Sequence, residues 1–200
     1  MPKPFQRISE NREKAVVEWA ARSFAGSSTF RMFAKNHSEN IRKFLQREIG
    51  NCSDLSRSHT RAEYTQRLLS CISKFRSSSI RMNSRSKNRG RRPGFGQAAK
   101  VINLYIKQYL LRPDFMGRRQ ARAARRLYKF AHVPLDRIVL GRVWEDFQRE
   151  LSKNGIGSQP KMSRLQERDY SIIQEVIYRN ARATGLPPIA YDFNWAERSE

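Results

Sequence analysis

The spacing of apolar residues is the feature of this sequence that most restricts its fold. Apolar residues recur every three or four positions in several long segments, and no strand-like alternation extends beyond four residues. A period of this length places apolar side chains along one face of an α-helix. The chain has 200 residues and no internal repeat. The sequence therefore predicts one compact all-α domain over residues 1–200, with about six to eight helices.

Capping residues and breaks in the apolar period give the expected helix boundaries. Ser28 fits a helix start, Pro134 fits a first turn, and Ser163 opens a Ser-Arg-Leu-Gln capping box. We expect helices over residues 10–25, 28–49, 60–75, 101–111, 117–130, 134–151 and 163–185. After a Pro-Pro step, residues 186–200 are expected to pack back on the helices as a tail.

The charge of the chain is strongly positive and concentrated in its centre. Forty lysines and arginines against eighteen acids give a net charge of +22. Between Lys74 and Lys129 there are seventeen basic residues, and Asp114 is the single acid. Such a block repels itself unless a polyanion is nearby. The pattern favours a nucleic-acid partner, with DNA preferred to RNA.

An anionic membrane surface is the alternative polyanion. The sequence has no apolar run of 18 residues, no signal-peptide pattern and no lipidation motif. We therefore expect no membrane partner and a cytoplasmic, nucleoid-associated location.

The cysteine and histidine content argues against a metal. Only Cys52 and Cys71 are present, with three histidines and no Cys-x-x-Cys pair. We expect no metal site and no cofactor, and we interpret both cysteines as small buried apolar side chains.

A basic loop and a glycine turn form the predicted binding surface. Residues 77–94 have almost no apolar content and read as a flexible loop. The Pro-Gly-Phe-Gly turn that follows leaves backbone N–H groups at a helix start, which suits a phosphate. It lacks the Gly-Lys-Ser/Thr ending of a nucleotide P-loop. The predicted nucleic-acid-binding residues are Arg85, Lys87, Arg89, Arg91, Arg92, Gly94, Phe95, Gly96, Lys100, Arg118, Arg119, Arg122, Arg125 and Arg126.

Aromatic residues inside the basic block are candidates for base stacking. We expect Phe95, at the turn, and Tyr109 to be exposed contacts. Tyr105 and Phe130 are expected to point into the core.

Two short segments, Arg-Pro-Gly-Phe-Gly-Gln-Ala-Ala at 92–99 and His-Val-Pro-Leu-Asp-Arg-Ile-Val at 132–139, resemble the helix-hairpin-helix DNA glycosylases. The hairpin of that family reads like Leu-Pro-Gly-Val-Gly, and its catalytic Asp opens a later helix. The resemblance implies that Gly94 and Gly96 are the hairpin glycines. It also implies that Asp136 is the catalytic carboxylate, acting at the sugar of a flipped nucleotide. Ala98 stands where lyase members carry a lysine, which implies base removal without strand cleavage.

Asp136 also has an ordinary structural interpretation. An acid near a proline at the start of an apolar helix is stabilised by the helix dipole, and it can pair with Arg137 or Arg142. Two functions therefore stay open. One is a monofunctional DNA N-glycosylase that excises a damaged or modified base. The other is a non-enzymatic DNA- or RNA-binding accessory protein or ribonucleoprotein component.

Overall fold

The protein is built from α-helices in the computed structural model. The structure describes residues 31–34, 37–50, 52–83, 90–111 and 118–193, and at 118–120 and 193 it describes the backbone alone. The helices are α1 (Ser38–Phe44, continued by a π-helical turn over Leu45–Ile49), α2 (Ser53–Ser56), α3 (Arg61–Ser77), α4 (Phe95–Leu110), α5 (Arg118–Tyr128), α6 (Arg137–Lys153), α7 (Glu167–Ala183) and α8 (Ala190–Phe193). The described residues contain no strand, and one isolated antiparallel bridge joins Phe33 to Met82. The prediction of an all-α fold is confirmed.

Helix α4 is the centre of the core. Residues such as Val101, Ile102 and Ile106 have almost no solvent contact, and no residue of the helix is fully exposed. A helix that is apolar around most of its circumference is stable only when others surround it. Here α3, α5 and α7 pack against it. This central position fixes the side chains near its start, which include Lys100.

Side-chain caps set the starts of two helices. The Thr60 hydroxyl accepts a hydrogen bond from the Glu63 N–H at 3.2 Å, so the predicted start of α3 is confirmed. The cap of α6 is Asp136, and Pro134 therefore lies before this helix instead of in its first turn.

Other predicted helix starts are wrong. The capping box at Ser163 does not form, because residues 162–164 make a turn and α7 begins after Gln166. The helix predicted over 28–49 is not continuous, because residues 33–34 are not helical and α1 begins at Ser38, while the predicted cap Ser28 lies outside the described residues. The helix predicted over 10–25 lies outside the described residues.

The loop that follows α3 is anchored to the core over part of its length. Ile80 and Met82 are buried, at 1% and 3% exposure. The backbone of Asn83 donates to Met32 at 2.8 Å, and Arg81 accepts from Ala34 at 3.1 Å. Residues 78–83 are therefore held in place, which corrects the expectation of a loop without apolar anchors. Residues 84–89 lie outside the described part of the chain.

The chain after α7 returns to the helices. Ile189 is buried, and the Tyr191 hydroxyl donates to Asp146 at 2.5 Å. Lys107 of α4 pairs with Asp192 at 2.5 Å. These contacts attach residues 189–192 to α4 and α6.

Candidate nucleic-acid interface

Helix α5 separates an apolar face from a basic face. Ala124 and Leu127 are buried, at 4% and 1% exposure, whereas Arg122, Arg125 and Arg126 are exposed. The buried positions lie three residues apart, as expected for one side of a helix packed on the core. The arginines therefore project from the opposite side into solvent.

The exposed arginines of α5 are not neutralised by acids in the part of the chain that the structure describes. Within the described residues, Arg122, Arg125 and Arg126 make no ion pair. By contrast, Arg47 pairs with Glu48 at 2.8 Å and Arg57 pairs with Asp54 at 3.1 Å. The three guanidinium groups on α5 are thus available to an external anion.

Three other sets of predicted binding residues have different outcomes. Arg91 and Arg92 are exposed, and in the described part of the chain they too lack an ion pair. Arg118 and Arg119 belong to α5, although only their backbone is described. The residues that lie outside the description are Arg85, Lys87 and Arg89.

The predicted Pro-Gly-Phe-Gly turn does not form, because Gly94 is the N-cap of α4 and Phe95 is its first residue. The Gly94 N–H donates to the Gln97 side chain at 2.6 Å. A Cβ added at Gly96 would lie 2.3 Å from the carbonyl oxygen of Met162, so the turn at 162–164 lies directly against this backbone. The glycine is required by this close approach. The described contacts of Gly94 and Gly96 are therefore packing contacts within the protein.

The predicted exposure of two aromatic residues is wrong. Phe95 is 4% exposed and packs edge-to-face on Tyr170, with ring centroids 5.3 Å apart. Tyr109 is 2% exposed. Both belong to α4, which is buried on nearly all sides, so neither ring is available to a base. Tyr105 is fully buried as predicted, and Phe130 is half-buried against the core.

Asp136 caps α6 with one carboxylate oxygen. Its Oδ1 accepts hydrogen bonds from the N–H groups of Ile138 and Val139, both at 2.9 Å. Its Oδ2 lies 3.8 Å from Nζ of Lys100. The Asp136 side chain is 35% exposed, whereas Lys100 is only 11% exposed. The carboxylate thus joins the start of α6 to α4 and keeps one edge open to solvent.

The pairing of Lys100 with Asp136 was not foreseen from the sequence. The two residues lie in separate elements, and the proposed local partners of Asp136 were Arg137 and Arg142. Arg142 instead pairs with Glu145 at 3.3 Å. The sequence signal is a lysine on a largely apolar helix, and it does not identify the partner.

A buried polar cluster holds the segment that leads to Asp136. The Gln174 side chain accepts from the Val133 N–H at 3.0 Å and donates to the Val133 carbonyl at 2.7 Å. Asn103 donates to the Tyr170 hydroxyl at 2.8 Å, and His132 lies 2.8 Å from the same hydroxyl. These bonds attach residues 132–133 to α4 and α7. They fix the position from which Asp136 reaches Lys100.

The protonation of His132 follows from this cluster. Burial, followed by the charge of Arg61, lowers the pKa of His132 to about 3, so the imidazole is neutral. We assign the ring proton to Nε2, which lets Nδ1 of His132 accept from the Tyr170 hydroxyl at 2.8 Å. The remaining ring N–H then points to Thr65 Oγ1 at 3.2 Å. In the sequence, the signal for this cluster is the presence of polar residues at the helical spacing of the apolar residues that face the core.

The cysteines and metal-ligating groups do not form a site in the described structure. Cys52 is buried, which raises the pKa of its thiol, and Cys71 is half-buried. No group of three or more His, Cys, Asp or Glu side chains that could hold a metal occurs among the described residues. In the same part of the chain, no helix combines the length and apolar character needed to cross a membrane.

Comparison of the chain with protein-family models, curated proteins and solved structures finds no match.

Proposed function

We propose that this protein binds nucleic acid, DNA in preference to RNA, through the phosphate backbone. The observation that carries the proposal is the exposed set of Arg122, Arg125 and Arg126 on one face of α5, which pairs with no acid among the described residues. A guanidinium group presents several donors in a plane and matches the oxygens of a phosphate. Binding of this kind is largely independent of base sequence. Binding that is independent of base sequence is consistent with the expected nucleoid-associated location.

The surrounding charge supports the same proposal. The segment between Lys74 and Lys129 carries seventeen basic residues and one acid. Arg91 and Arg92 add two exposed cations before α4. A surface with such an excess of one charge attracts a polyanion over distances longer than a single contact.

A matched pair of variants tests this proposal. The first replaces Arg122, Arg125 and Arg126 by Gln. The control replaces Lys43, Arg47 and Arg57 by Gln, which removes the same charge from exposed residues that pair with acids. At physiological salt, the first variant is expected to bind duplex DNA with an affinity lower by a factor on the order of 100, as follows from three lost phosphate contacts. The control should bind like the original protein.

If both triple variants lose the same affinity for duplex DNA, only net charge affects binding, and α5 is rejected as the binding element.

A direct comparison of DNA with RNA of the same sequence tests the preference for DNA. Tighter binding to the RNA strand would favour the ribonucleoprotein alternative.

Monofunctional DNA N-glycosylase activity is the second candidate. The observation that favours it is the position of Asp136 at the start of α6. Its carboxylate lies beside Lys100 of α4, and the side chain is 35% exposed. In this candidate the carboxylate stabilises positive charge that develops on the sugar as the bond to the base breaks. The same carboxylate is also fully explained as a helix cap, so binding is the primary proposal.

The variant Asp136→Asn tests this second candidate. Asn keeps the helix cap and removes the charge. If Asp136 is catalytic, base release should fall by a factor on the order of 100 or more, while DNA binding is retained. The assay incubates DNA containing varied modified bases with the protein, cleaves abasic sites with alkali and identifies released bases by mass. The absence of any released base with intact binding would contradict catalysis.

A further inference from the structure

A cavity of about 460 Å³ lies between the end of α5 and the C-terminal half of α7. Its walls include the aromatic rings of Tyr128, Phe130 and Tyr178. Leu186 and the Pro-Pro step at 187–188 close another side. The volume lies within the range of small-molecule and cofactor sites, which are mostly apolar with a few polar groups.

One aromatic wall of the cavity is held rigidly. The guanidinium group of Arg61 lies 4.0 Å from the ring centroid of Tyr178 and covers one face. Arg61 is itself fixed by an ion pair with Glu175 and by a hydrogen bond to the Gln174 carbonyl at 3.2 Å. A ring held in this way does not lose further side-chain freedom when a ligand packs against it.

The charge around the cavity has one sign. Lys129 and Arg182 are exposed residues that contribute to its lining, and none of the described residues that line it is acidic. Tyr128 is the last residue of α5, and Arg125 lies three positions earlier, which makes the two side chains neighbours on the helix surface. The aromatic cavity therefore adjoins the unpaired arginines of α5.

We propose that this cavity binds an unpaired base of a single-stranded nucleic acid. Aromatic rings stack on any base, and the neighbouring cations contact the phosphates on either side of it. The arrangement explains why half-buried aromatic rings and exposed cations occur together at this position. The inference rests on the proposed function, because the arginines of α5 bring the strand to the cavity.

Strands with and without bases separate this inference from the proposed function. The test compares a six-nucleotide DNA strand with a strand of the same length in which every base is replaced by an abasic tetrahydrofuran residue. Both carry the same phosphates. The normal strand is expected to bind about 5- to 100-fold more tightly, as one stacked base provides.

Variants on two walls of the cavity locate the effect. Tyr128→Ala and Leu186→Ala should each bring the affinity for the normal strand close to that for the abasic strand, without changing binding of the abasic strand. Leu186 is 49% exposed, so its replacement does not disturb the core. The control is Leu111→Ala, at an apolar residue that is 42% exposed and does not line the cavity.

Each outcome decides between the two proposals. A base-dependent affinity that is lost in Leu186→Ala and kept in Leu111→Ala supports the cavity as a base site. Equal binding of both strands by the original protein overturns the inference and leaves phosphate binding intact. Failure of both strands to bind while duplex DNA is still bound overturns the inference alone, whereas failure of duplex DNA to bind as well overturns the proposed function. A base-dependent affinity that survives both cavity variants places the stacking elsewhere and also overturns the inference.

Discussion

The hydroxyl of Tyr170 lies 2.8 Å from Nδ1 of His132, inside the core and between α4 and α7. The same hydroxyl accepts a hydrogen bond from Asn103 at 2.8 Å. One oxygen thus serves two buried polar groups. Since both groups are buried, the Asn103 amide nitrogen and Nδ1 of His132 each depend on this oxygen for a hydrogen bond.

Removal of this oxygen should be costly. Tyr170→Phe is expected to lower the free energy of unfolding by about 1–3 kcal/mol, because Asn103 and His132 both lose a buried partner. Tyr128→Phe is the control, since its half-buried side chain lets water replace the hydroxyl. Chemical denaturation of both variants measures the difference. A loss in Tyr170→Phe no larger than in the control would show that the cluster does not contribute to stability.

The neutral state of His132 makes stability depend on pH. Its pKa is lowered to about 3 in the folded protein, below the value near 6.5 of an unfolded chain. Between these values the unfolded state binds the additional proton, so stability rises with pH and falls on acidification. The expected loss is about 1.4 kcal/mol for each pH unit below 6.5. Denaturation curves from pH 6.5 to 5 measure this slope.

The histidine can be observed directly to assign the slope. The His132 ring resonances in an NMR titration should stay those of a neutral imidazole down to pH 5. Titration of this ring near pH 6.5 in the folded protein would contradict the described burial.

The contact between Gly96 and Met162 predicts a difference between two glycines. Gly96→Ala places a Cβ at 2.3 Å from a carbonyl oxygen and should destabilise the fold by about 1–3 kcal/mol. Gly157→Ala meets no atom within 4 Å and should change stability by less than about 1 kcal/mol. Thermal denaturation compares them. Similar effects at both positions would mean that the start of α4 does not pack on residue 162.

The cap at Asp136 predicts a second difference. Asp136→Ala removes both bonds to the N–H groups of α6 and should cost about 1 kcal/mol, whereas Asp136→Asn should cost much less. Equal destabilisation by the two replacements would assign the contribution of Asp136 to its charge beside Lys100. The comparison also shows whether Asp136→Asn is folded well enough for the base-release assay.

Local signals in the sequence predicted much of the helical architecture. The apolar period between 60 and 75 located α3 to within two residues. It succeeded because the residues that share one face of a helix are neighbours in sequence. The separation of arginines from Ala124 and Leu127 on α5 is likewise a property of one helix.

The errors concern contacts between distant residues. Ser163 fits a capping box, but the turn at 162–164 packs against Gly96, and α7 starts later. Phe95 lies in a predicted Pro-Gly-Phe-Gly turn and is expected to be exposed, yet it starts α4 and Tyr170 covers it. The pairing of Lys100 with Asp136 belongs to the same class. Each depends on how helices pack, which local spacing does not specify.

The salt dependence of DNA binding tests the central claim most directly. If about six phosphates are neutralised, log affinity for duplex DNA should fall with log salt concentration at a slope near −5. Replacement of Arg122, Arg125 and Arg126 by Gln should make this slope shallower by about 2.7, whereas the control at Lys43, Arg47 and Arg57 should leave it unchanged. A slope shallower than about −2 for the original protein, or the same slope after removal of the three α5 arginines, would contradict the account.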